Sequence, residues 1–199
     1  YGLPLLTASA CLFALRLDIA GVVFLAASAF VLNFFRDPER KAPSEPRAIV
    51  SPADGRVVEI IEEQVDGRAM ERLSIFMSPL NVHVNRAPIS GVIRNVRYRP
   101  GAFHVASLPQ ASIENEQNLF TIEGQQGAVH VRQIAGALAR RIVFWKKAGD
   151  LLERGERVGL IKFGSRVDLI VEKGTEWRVK TGDHVRAGTT ILGITKPAG

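Results

Sequence analysis

Cysteine is nearly absent from this chain, where Cys11 is the single one among 199 residues. One cysteine excludes a disulfide framework within the chain and a zinc site built on cysteines. The four histidines, His83, His104, His130 and His184, show no metal-ligand spacing, so we predict no metal centre. Aromatic residues make up only 7% of the chain and do not interleave with basic residues in a nucleic-acid-binding motif, so we expect no nucleic-acid partner.

Acidic residues are fewer than basic ones, 20 against 26, which gives the chain a formal net charge of +6. This excess favours a partner that carries phosphate groups, and an anionic membrane surface fits that description. The hydrophobic share, 46% of 199 residues, suits one globular domain with an apolar segment attached.

Charged residues are missing from residues 3–35 except for Arg16 and Asp18. The stretch that follows Asp18 is about 17 residues long, the lower limit for a helix that crosses a bilayer. We therefore predict a hydrophobic helical hairpin over residues 1–35, which either spans the membrane or lies in one leaflet. Basic residues directly after it place the protein at the cytoplasmic face of a cell membrane. A cleavable signal peptide, with Ala27-Ser28-Ala29 as its cleavage pattern, is the alternative, although no basic n-region precedes it.

Residues 36–47 are charged and rich in proline, which predicts a connector. From residue 48 to the end, short branched or alternating runs lie between turn signals, which predicts a mainly β domain of the sandwich or barrel kind. We predict strands at residues 49–50, 57–61, 73–77, 91–98, 120–122, 128–133, 158–163, 167–171 and 191–194, and a short helix within residues 136–146.

A weak internal repeat relates residues 54–58 to residues 179–188. The second copy resembles the hairpins of lipoyl and biotinyl carrier domains. This resemblance supports an alternative function, a non-catalytic adaptor domain tethered to a membrane. A cofactor-carrying domain is disfavoured, because neither candidate tip, Asp54-Gly55 or Gly182-Asp183, has the lysine that accepts the cofactor.

The pair Gly164-Ser165 stands between two apolar alternating runs. A serine after glycine can fold its hydroxyl back onto the preceding carbonyl, because glycine has no side chain in the way. Such pairs are also ordinary turn residues, so the pair alone does not establish a cleavage site.

Two further motifs, Ser51-Pro52-Ala53-Asp54-Gly55 and Asn81-Val82-His83-Val84-Asn85-Arg86-Ala87-Pro88, accompany this pair. With it, they resemble the phosphatidylserine decarboxylase family in its short bacterial and archaeal type, from about residue 33 to the C-terminus. The resemblance implies a proenzyme that cuts itself between Gly164 and Ser165 into a β chain (1–164) and an α chain (165–199). These two chains would form a heterodimer, and the family likeness also suggests a homodimer of that unit.

The resemblance implies that Ser165 becomes a covalent pyruvoyl group. This group would form a Schiff base with the serine headgroup of phosphatidylserine, and loss of CO₂ would leave phosphatidylethanolamine. Protein side chains alone are poor electron sinks, which is why such a reaction needs a carbonyl cofactor. The sequence leaves phosphatidylserine and archaetidylserine open as substrates.

His83 is the candidate base that activates Ser165, because strand alternation would place it on a polar face between Asn81 and Asn85. The family likeness implies that Asp54 orients the imidazole in an Asp-His-Ser arrangement, although Pro-Ala-Asp-Gly is also a common turn sequence. Long-type enzymes carry a second histidine where this chain has Arg86, so whether His83 alone serves both self-cleavage and turnover stays open.

Four residues resemble family positions near the site and are predicted substrate contacts: Arg86, Asn115, Glu116 and Arg166. The planar donor fork of arginine suits a phosphodiester or a carboxylate, with ordinary ion pairing as the alternative. We assign no role to His104, His130 or His184.

Overall fold

The computed structural model describes residues 2–65, 67–102, 115–125, 127–136, 141–162 and 165–195. The chain divides into two compact units, one that ends at Pro38 and one that begins at Glu39. The described part of the first unit contains two helices, and that of the second is built from strands. The predicted mainly β fold with an N-terminal helical hairpin is therefore confirmed.

The first unit pairs α1 (Gly2–Ala14) with α2 (Asp18–Phe34). Small residues bring the two helices close together: the Ser9 hydroxyl donates to the Gly21 carbonyl at 2.8 Å, and the Ser28 hydroxyl donates to the Gly2 carbonyl at 2.9 Å. A Cβ atom at Gly21 would lie 2.8 Å from the Phe13 ring, so a larger residue there would push the helices apart. None of the described helices has both the length and the apolar character that a membrane crossing requires.

The described part of the second unit contains fourteen strands. They are β1 (Ala48–Val50), β2 (Gly55–Val65), β3 (Arg68–Met77), β4 (Val84–Arg86), β5 (Gly91–Arg99), β6 (Gln117–Gly124), β7 (Gly127–Ala135), β8 (Ile142–Phe144), β9 (Leu151–Leu152), β10 (Arg157–Ile161), β11 (Ser165–Glu172), β12 (Glu176–Trp177), β13 (His184–Val185) and β14 (Ile191–Ile194).

Within the described residues these strands form three sheets. The largest has the order β13-β2-β3-β11-β7-β6-β5-β9, and two smaller sheets have the orders β4-β10-β8 and β1-β14-β12. The described strand pairs are antiparallel, so β2 and β11 start at the edge of the large sheet where β3 and β7 end.

The core lies on one face of the large sheet. Register places Leu73, Leu169, Val131 and Phe120 side by side across four neighbouring strands, and all four are fully buried. Burying one such side chain stabilises the fold by about 1.5–3 kcal/mol. This apolar row positions β11 in the middle of the sheet and so fixes the place of its first residue, Ser165.

Each predicted strand overlaps an observed strand. The run at residues 158–163 ends earlier than predicted, at Ile161, and Phe163 lies outside the described residues. The helix expected within residues 136–146 is wrong at Ile142–Phe144, which form β8 and pair with β10. Two of these three residues are β-branched, and a partner strand distant in sequence decides their conformation.

The predicted connector, residues 36–47, crosses the boundary between the units. From Glu39 onward it belongs to the second unit. The guanidinium group of Arg154 donates to the carbonyls of Pro43, Glu45 and Ala48, which ties this segment to the β-structure. The two copies of the weak repeat also meet, since His184 and Val185 pair with Arg56 and Gly55.

Candidate active site

Ser165 is the first residue of β11 and lies between the last residues of two neighbouring strands, Met77 of β3 and Ala135 of β7. Its side chain is fully buried, and its hydroxyl donates to the thioether sulfur of Met77 at 3.3 Å. Alternation along β11 puts it on the core face with Val167 and Leu169. Gly164 lies outside the described residues.

His83 immediately precedes β4 and is almost fully buried, with 2% of its surface exposed. Its backbone carbonyl accepts a hydrogen bond from Ile161 at 3.3 Å. Since Ile161 ends β10, and residues 162–164 connect it to Ser165, this bond ties the histidine to the strand that leads to the candidate nucleophile.

The tautomer of His83 follows from its contact with its own chain. Nδ1 lies 2.9 Å from the carbonyl oxygen of Asn81. A carbonyl only accepts hydrogen bonds, so in the neutral form of the ring Nδ1 carries the proton and Nε2 holds the lone pair. An imidazole in this form is competent to accept a proton through Nε2.

The polar strand face expected around His83 is only partly present. Residues 81–83 are irregular, and the strand starts at Val84. The Asn81 side chain turns back to the amide and hydroxyl of Ser78 at 2.8 and 2.9 Å. Asn85, in contrast, points into the core, where it is fully buried.

Asp54 directly precedes β2 and so lies at the same sheet edge as Ser165. The guanidinium of Arg40 faces both of its carboxylate oxygens, with Nη2 at 2.9 Å from Oδ2, and the Ala187 amide donates to Oδ1 at 2.8 Å. The next residue must be glycine, because a Cβ at Gly55 would lie 2.1 Å from the Phe76 carbonyl oxygen. At Nδ1 of His83, the Asn81 carbonyl occupies the orienting position that the family likeness assigned to Asp54.

Three buried carboxamides, absent from the predicted site residues, form a hydrogen-bonded row that ends at Met77, the residue whose sulfur accepts the Ser165 hydroxyl. Asn118 donates to Gln133 at 2.9 Å, and Gln133 donates to Asn85 at 2.8 Å. Asn85 in turn directs its amide nitrogen at the Met77 sulfur, 3.8 Å away. Polar residues at core-facing strand positions were the available signal, but only the register between strands shows that they join.

Asn115 and Glu116 come directly before β6 at the same edge. The Asn115 amide donates to the carbonyl of Ala135, the strand neighbour of Ser165, at 2.6 Å. Glu116 accepts a hydrogen bond from the Ile142 amide at 3.3 Å. Partial desolvation, together with the Glu116 carboxylate, raises the pKa of Tyr98 above its ordinary value.

The two arginines predicted to contact substrate are both buried in ordinary protein interactions. Arg86 donates to the Gly155 carbonyl at 2.9 Å. Arg166 projects from the face of β11 opposite Ser165, where it donates to Asp168 at 2.6 Å and to Ser74 at 2.8 Å. Their contact with substrate stays a prediction.

Asp168 is the centre of a charged cluster on that opposite face. Its Oδ2 atom lies 3.6 Å from guanidinium nitrogens of both Arg72 and Arg132. Burial raises the pKa of Asp168 to about 6, although these two cations act in the other direction. The cluster lies on the face of β11 opposite Ser165, where it links β11 to β3 and β7.

A sequence model of the family described as phosphatidylserine decarboxylase matches residues 27–193. The chain belongs to the phosphatidylserine decarboxylase family. Proteins named phosphatidylserine decarboxylase proenzyme are similar to it over most of its length. The one from Salinibacter ruber is 52% identical over 172 residues, which cover 83% of this chain and 75% of that protein.

Two more relatives with that name come from Solibacter usitatus and Desulfotalea psychrophila, each 46% identical. The first alignment covers 96% of this chain and 92% of the relative, and the second covers 88% and 84%. Phosphatidylserine decarboxylases are enzymes, so membership in the family overturns the alternative of a non-catalytic adaptor domain.

Proposed function

We propose that this chain decarboxylates phosphatidylserine to phosphatidylethanolamine and CO₂, with a pyruvoyl group that it makes from Ser165 by cutting itself after Gly164. The observation that carries the proposal is the position of Ser165, a buried hydroxyl at the start of a central strand. In support, Asp54 precedes β2 at the sheet edge where β11 begins, and the His83 carbonyl accepts a hydrogen bond from Ile161, four residues before Ser165. The name of the relatives, phosphatidylserine decarboxylase proenzyme, supports both the reaction and a processing step.

The cutting reaction begins when Ser165 Oγ attacks the carbonyl carbon of Gly164 and its proton passes to a base. The peptide C–N bond breaks, which leaves Gly164 as an ester on Oγ and frees the amine of Ser165. Loss of the α-proton and cleavage of the Cβ–Oγ bond release the Gly164 carboxylate. One water then displaces the nitrogen as ammonia, and a methyl ketone remains at position 165. Holding the reacting atoms in contact can lower the barrier by about 7–11 kcal/mol.

His83 is the base in this proposal. Its Nδ1 proton is committed to the Asn81 carbonyl, so Nε2 is the nitrogen that accepts the Ser165 proton. Asp54 has a less direct role: its bidentate pair with Arg40 and its bond from Ala187 hold the segment that begins β2. Asp54 then acts on the site by positioning this edge.

The surroundings of Ser165 fit a pyruvoyl group. A methyl ketone replaces the CH₂OH group of serine with a methyl group, and the neighbours on the core face, Met77, Ala135 and Val167, are apolar and buried. When formed, the ketone supplies a carbonyl that binds the substrate amine and takes up the electron pair left by CO₂. Met77 and Ala135 would hold it from the two neighbouring strands.

The substrate headgroup needs hydrogen-bond partners near this edge, and we propose Asn115 and Glu116 for that role. Both are buried, and both are hydrogen-bonded to Ala135, the residue that pairs with Ser165 on β7. The Asn115 side chain donates to the Ala135 carbonyl, and the Ala135 amide donates to the Glu116 carbonyl. Arg86 and Arg166 remain candidates for the phosphate or carboxylate, and either would have to exchange a present partner for the substrate.

The exposed surface of the helical hairpin supports attachment to a cell membrane, and we propose the cytoplasmic face because basic residues follow the hairpin. Large apolar side chains are exposed along both helices, for example Leu3, Ile19, Val22 and Val23. Such a surface is unfavourable in water and favourable in lipid. Peripheral insertion and hairpin anchoring both agree with this surface.

The two chains would stay together after the cut. The α chain contributes β11, which pairs with β3 and β7 of the β chain on both sides, and β14, which pairs with β1. Separation would expose the apolar core between them. We therefore propose a heterodimer of the α and β chains as the working unit, and the family likeness extends this to a homodimer.

Denaturing electrophoresis and intact-mass measurement test the proposal. The wild-type chain should yield fragments 1–164 and 165–199, with a pyruvoyl group in place of serine on the smaller one. Ser165→Ala should remain whole and inactive on phosphatidylserine micelles. Ser74→Ala, which changes a buried serine on the neighbouring strand, serves as the matched control and should still be cut. A wild-type chain that stays whole and carries no ketone would refute the proposal.

A further inference from the structure

The buried carboxamides of Asn118, Gln133 and Asn85 end at the sulfur atom of Met77, which also accepts the hydroxyl of Ser165. All three amides are at most 2% exposed within an apolar core. A buried amide costs stability unless its polar atoms are bonded. The chain of hydrogen bonds between them satisfies this requirement and leads to the candidate nucleophile.

The donor and acceptor groups of the three amides fix the direction of their hydrogen bonds. Gln133 donates to Oδ1 of Asn85, so the amide nitrogen of Asn85 must face away from Gln133, toward Met77. Because Asn85 is two residues after His83, the same contacts also attach the β4 segment to β7. The Met77 sulfur therefore accepts one hydrogen bond from Asn85 and one from Ser165.

A thioether is a weak hydrogen-bond acceptor. It can hold the Ser165 hydroxyl in one rotamer, yet it gives that hydroxyl up to a base more easily than a charged carboxylate would. It is also an apolar group, so it can pack against a methyl group without leaving a polar atom unbonded. Few side chains meet both requirements.

We propose that Met77 is a positioning residue for both chemical forms of position 165. Its sulfur holds the serine hydroxyl before the cut and contacts the pyruvoyl methyl group afterwards, while Asn118, Gln133 and Asn85 keep the sulfur in place. This inference rests on the proposed self-cleavage at Ser165, and its tests compare variants with a wild-type chain that does cut itself.

The first test measures the rate of self-cleavage in variants of the two methionines. Met77→Leu keeps the apolar volume but removes the acceptor, so cleavage should slow about tenfold, the effect of one lost hydrogen bond of roughly 1–1.5 kcal/mol. Met77→Gln restores an acceptor and should return the rate to within about threefold of wild type. Met70→Leu, at the opposite end of β3, is the matched control and should cut at the wild-type rate.

Equal cleavage rates in Met77→Leu and wild type would overturn the inference, and so would a Met77→Gln variant as slow as Met77→Leu. Thermal unfolding in the Ser165→Ala background checks that each variant folds. Failure of the wild-type chain to cut would count against the proposed function instead.

The second test asks whether the amides act through the sulfur. Asn85→Ala should also slow cleavage, and the double variant Met77→Leu, Asn85→Ala should be no slower than the slower single variant, because both changes remove the same contact. Multiplying effects would show that Asn85 acts independently of Met77.

The third test observes the contact itself and leaves Met77 intact. In the mature Met70→Leu protein, labelled with ¹³C at methionine methyl groups and at serine, Met77 is the one methionine within residues 1–199. A nuclear Overhauser effect between its methyl group and the pyruvoyl methyl group is expected. Absence of this effect, with the pyruvoyl signal present, would overturn the second half of the inference.

Discussion

Replacing Arg40 with alanine should destabilise the second unit strongly, although Arg40 lies in a segment that reads as a connector. Its guanidinium faces both oxygens of Asp54 and donates to the Ala187 carbonyl at 2.8 Å. Both side chains of the pair are only 10% exposed. Arg40→Ala therefore leaves a nearly buried carboxylate whose other described hydrogen bond comes from the Ala187 amide.

Removing one partner of a buried ion pair costs about 3–5 kcal/mol. Water can enter the space that Arg40 vacates, so we expect the lower end, about 3 kcal/mol of unfolding free energy. Arg40→Lys keeps the charge but loses the planar fork over two oxygens, and should cost about 1–2 kcal/mol.

Urea unfolding in detergent micelles measures these values, with Ser165→Ala in every variant so that the chain stays whole. A double-mutant cycle of Arg40→Ala with Asp54→Ala should give a coupling energy of about 2 kcal/mol. Changes below about 0.5 kcal/mol in both Arg40 variants would refute the reasoning, because exposed pairs have effects of that size.

Variants of Arg40 and Asp54 that retain Ser165 distinguish two possible roles of Asp54 in self-cleavage. A positioning role predicts that Asp54→Ala and Arg40→Ala slow self-cleavage to a similar extent. A direct action of Asp54 on His83 predicts that Asp54→Ala stops cleavage while Arg40→Ala only slows it.

Two further predictions concern the helical hairpin and the charged cluster. Val23→Asp puts a charge on a helix position that is 59% exposed. Moving that charge into lipid costs about 2.5–3.5 kcal/mol, so binding to anionic vesicles should weaken about 100-fold in a flotation assay. Leu80→Asp, at an exposed apolar position of the second unit, should bind like wild type. Because the folded-state pKa of Asp168, about 6, lies above the ordinary value of 3.8, the folded protein holds this proton more tightly, and the stability that the group contributes is lost as pH rises toward 6. Relative to Asp168→Asn, the chain with Asp168 should therefore lose up to about 2 kcal/mol of unfolding free energy between pH 4.5 and 7, and no change, or a change of opposite sign, would contradict the raised pKa.

Much of the fold could be predicted from local patterns. Alternation within β-branched runs indicates strands, and a long uncharged segment with a charged turn indicates a helical hairpin. These signals depend on residues close in sequence, so they indicate secondary structure even when the pairing of the strands is unknown. The segment Ile142–Phe144 shows the limit, because pairing with β10 decides its conformation.

The candidate site was found in part through motifs. Ser165, His83 and Asp54 belong to short segments that resemble a family. The structure places Asp54 and Ser165 at the same edge of the large sheet and bonds the His83 carbonyl to Ile161. That the three residues act together stays a prediction. The partners of these residues could not be predicted. Met77 reads as an ordinary core methionine at a strand end, and Arg40 reads as a connector residue that could face solvent or lipid.

By itself, the sequence determined the helices and most of the longer strands, and it pointed to the serine, because periodicity and short motifs are properties of neighbouring residues. The tertiary structure alone decided which side chains meet: Ser165 with Met77, Asn85 with Gln133, and Arg40 with Asp54. The first two contacts depend on the register of strands far apart in the chain, where a shift of one residue would turn a side chain to the opposite face. The third depends on how the connector packs against the segment before β2.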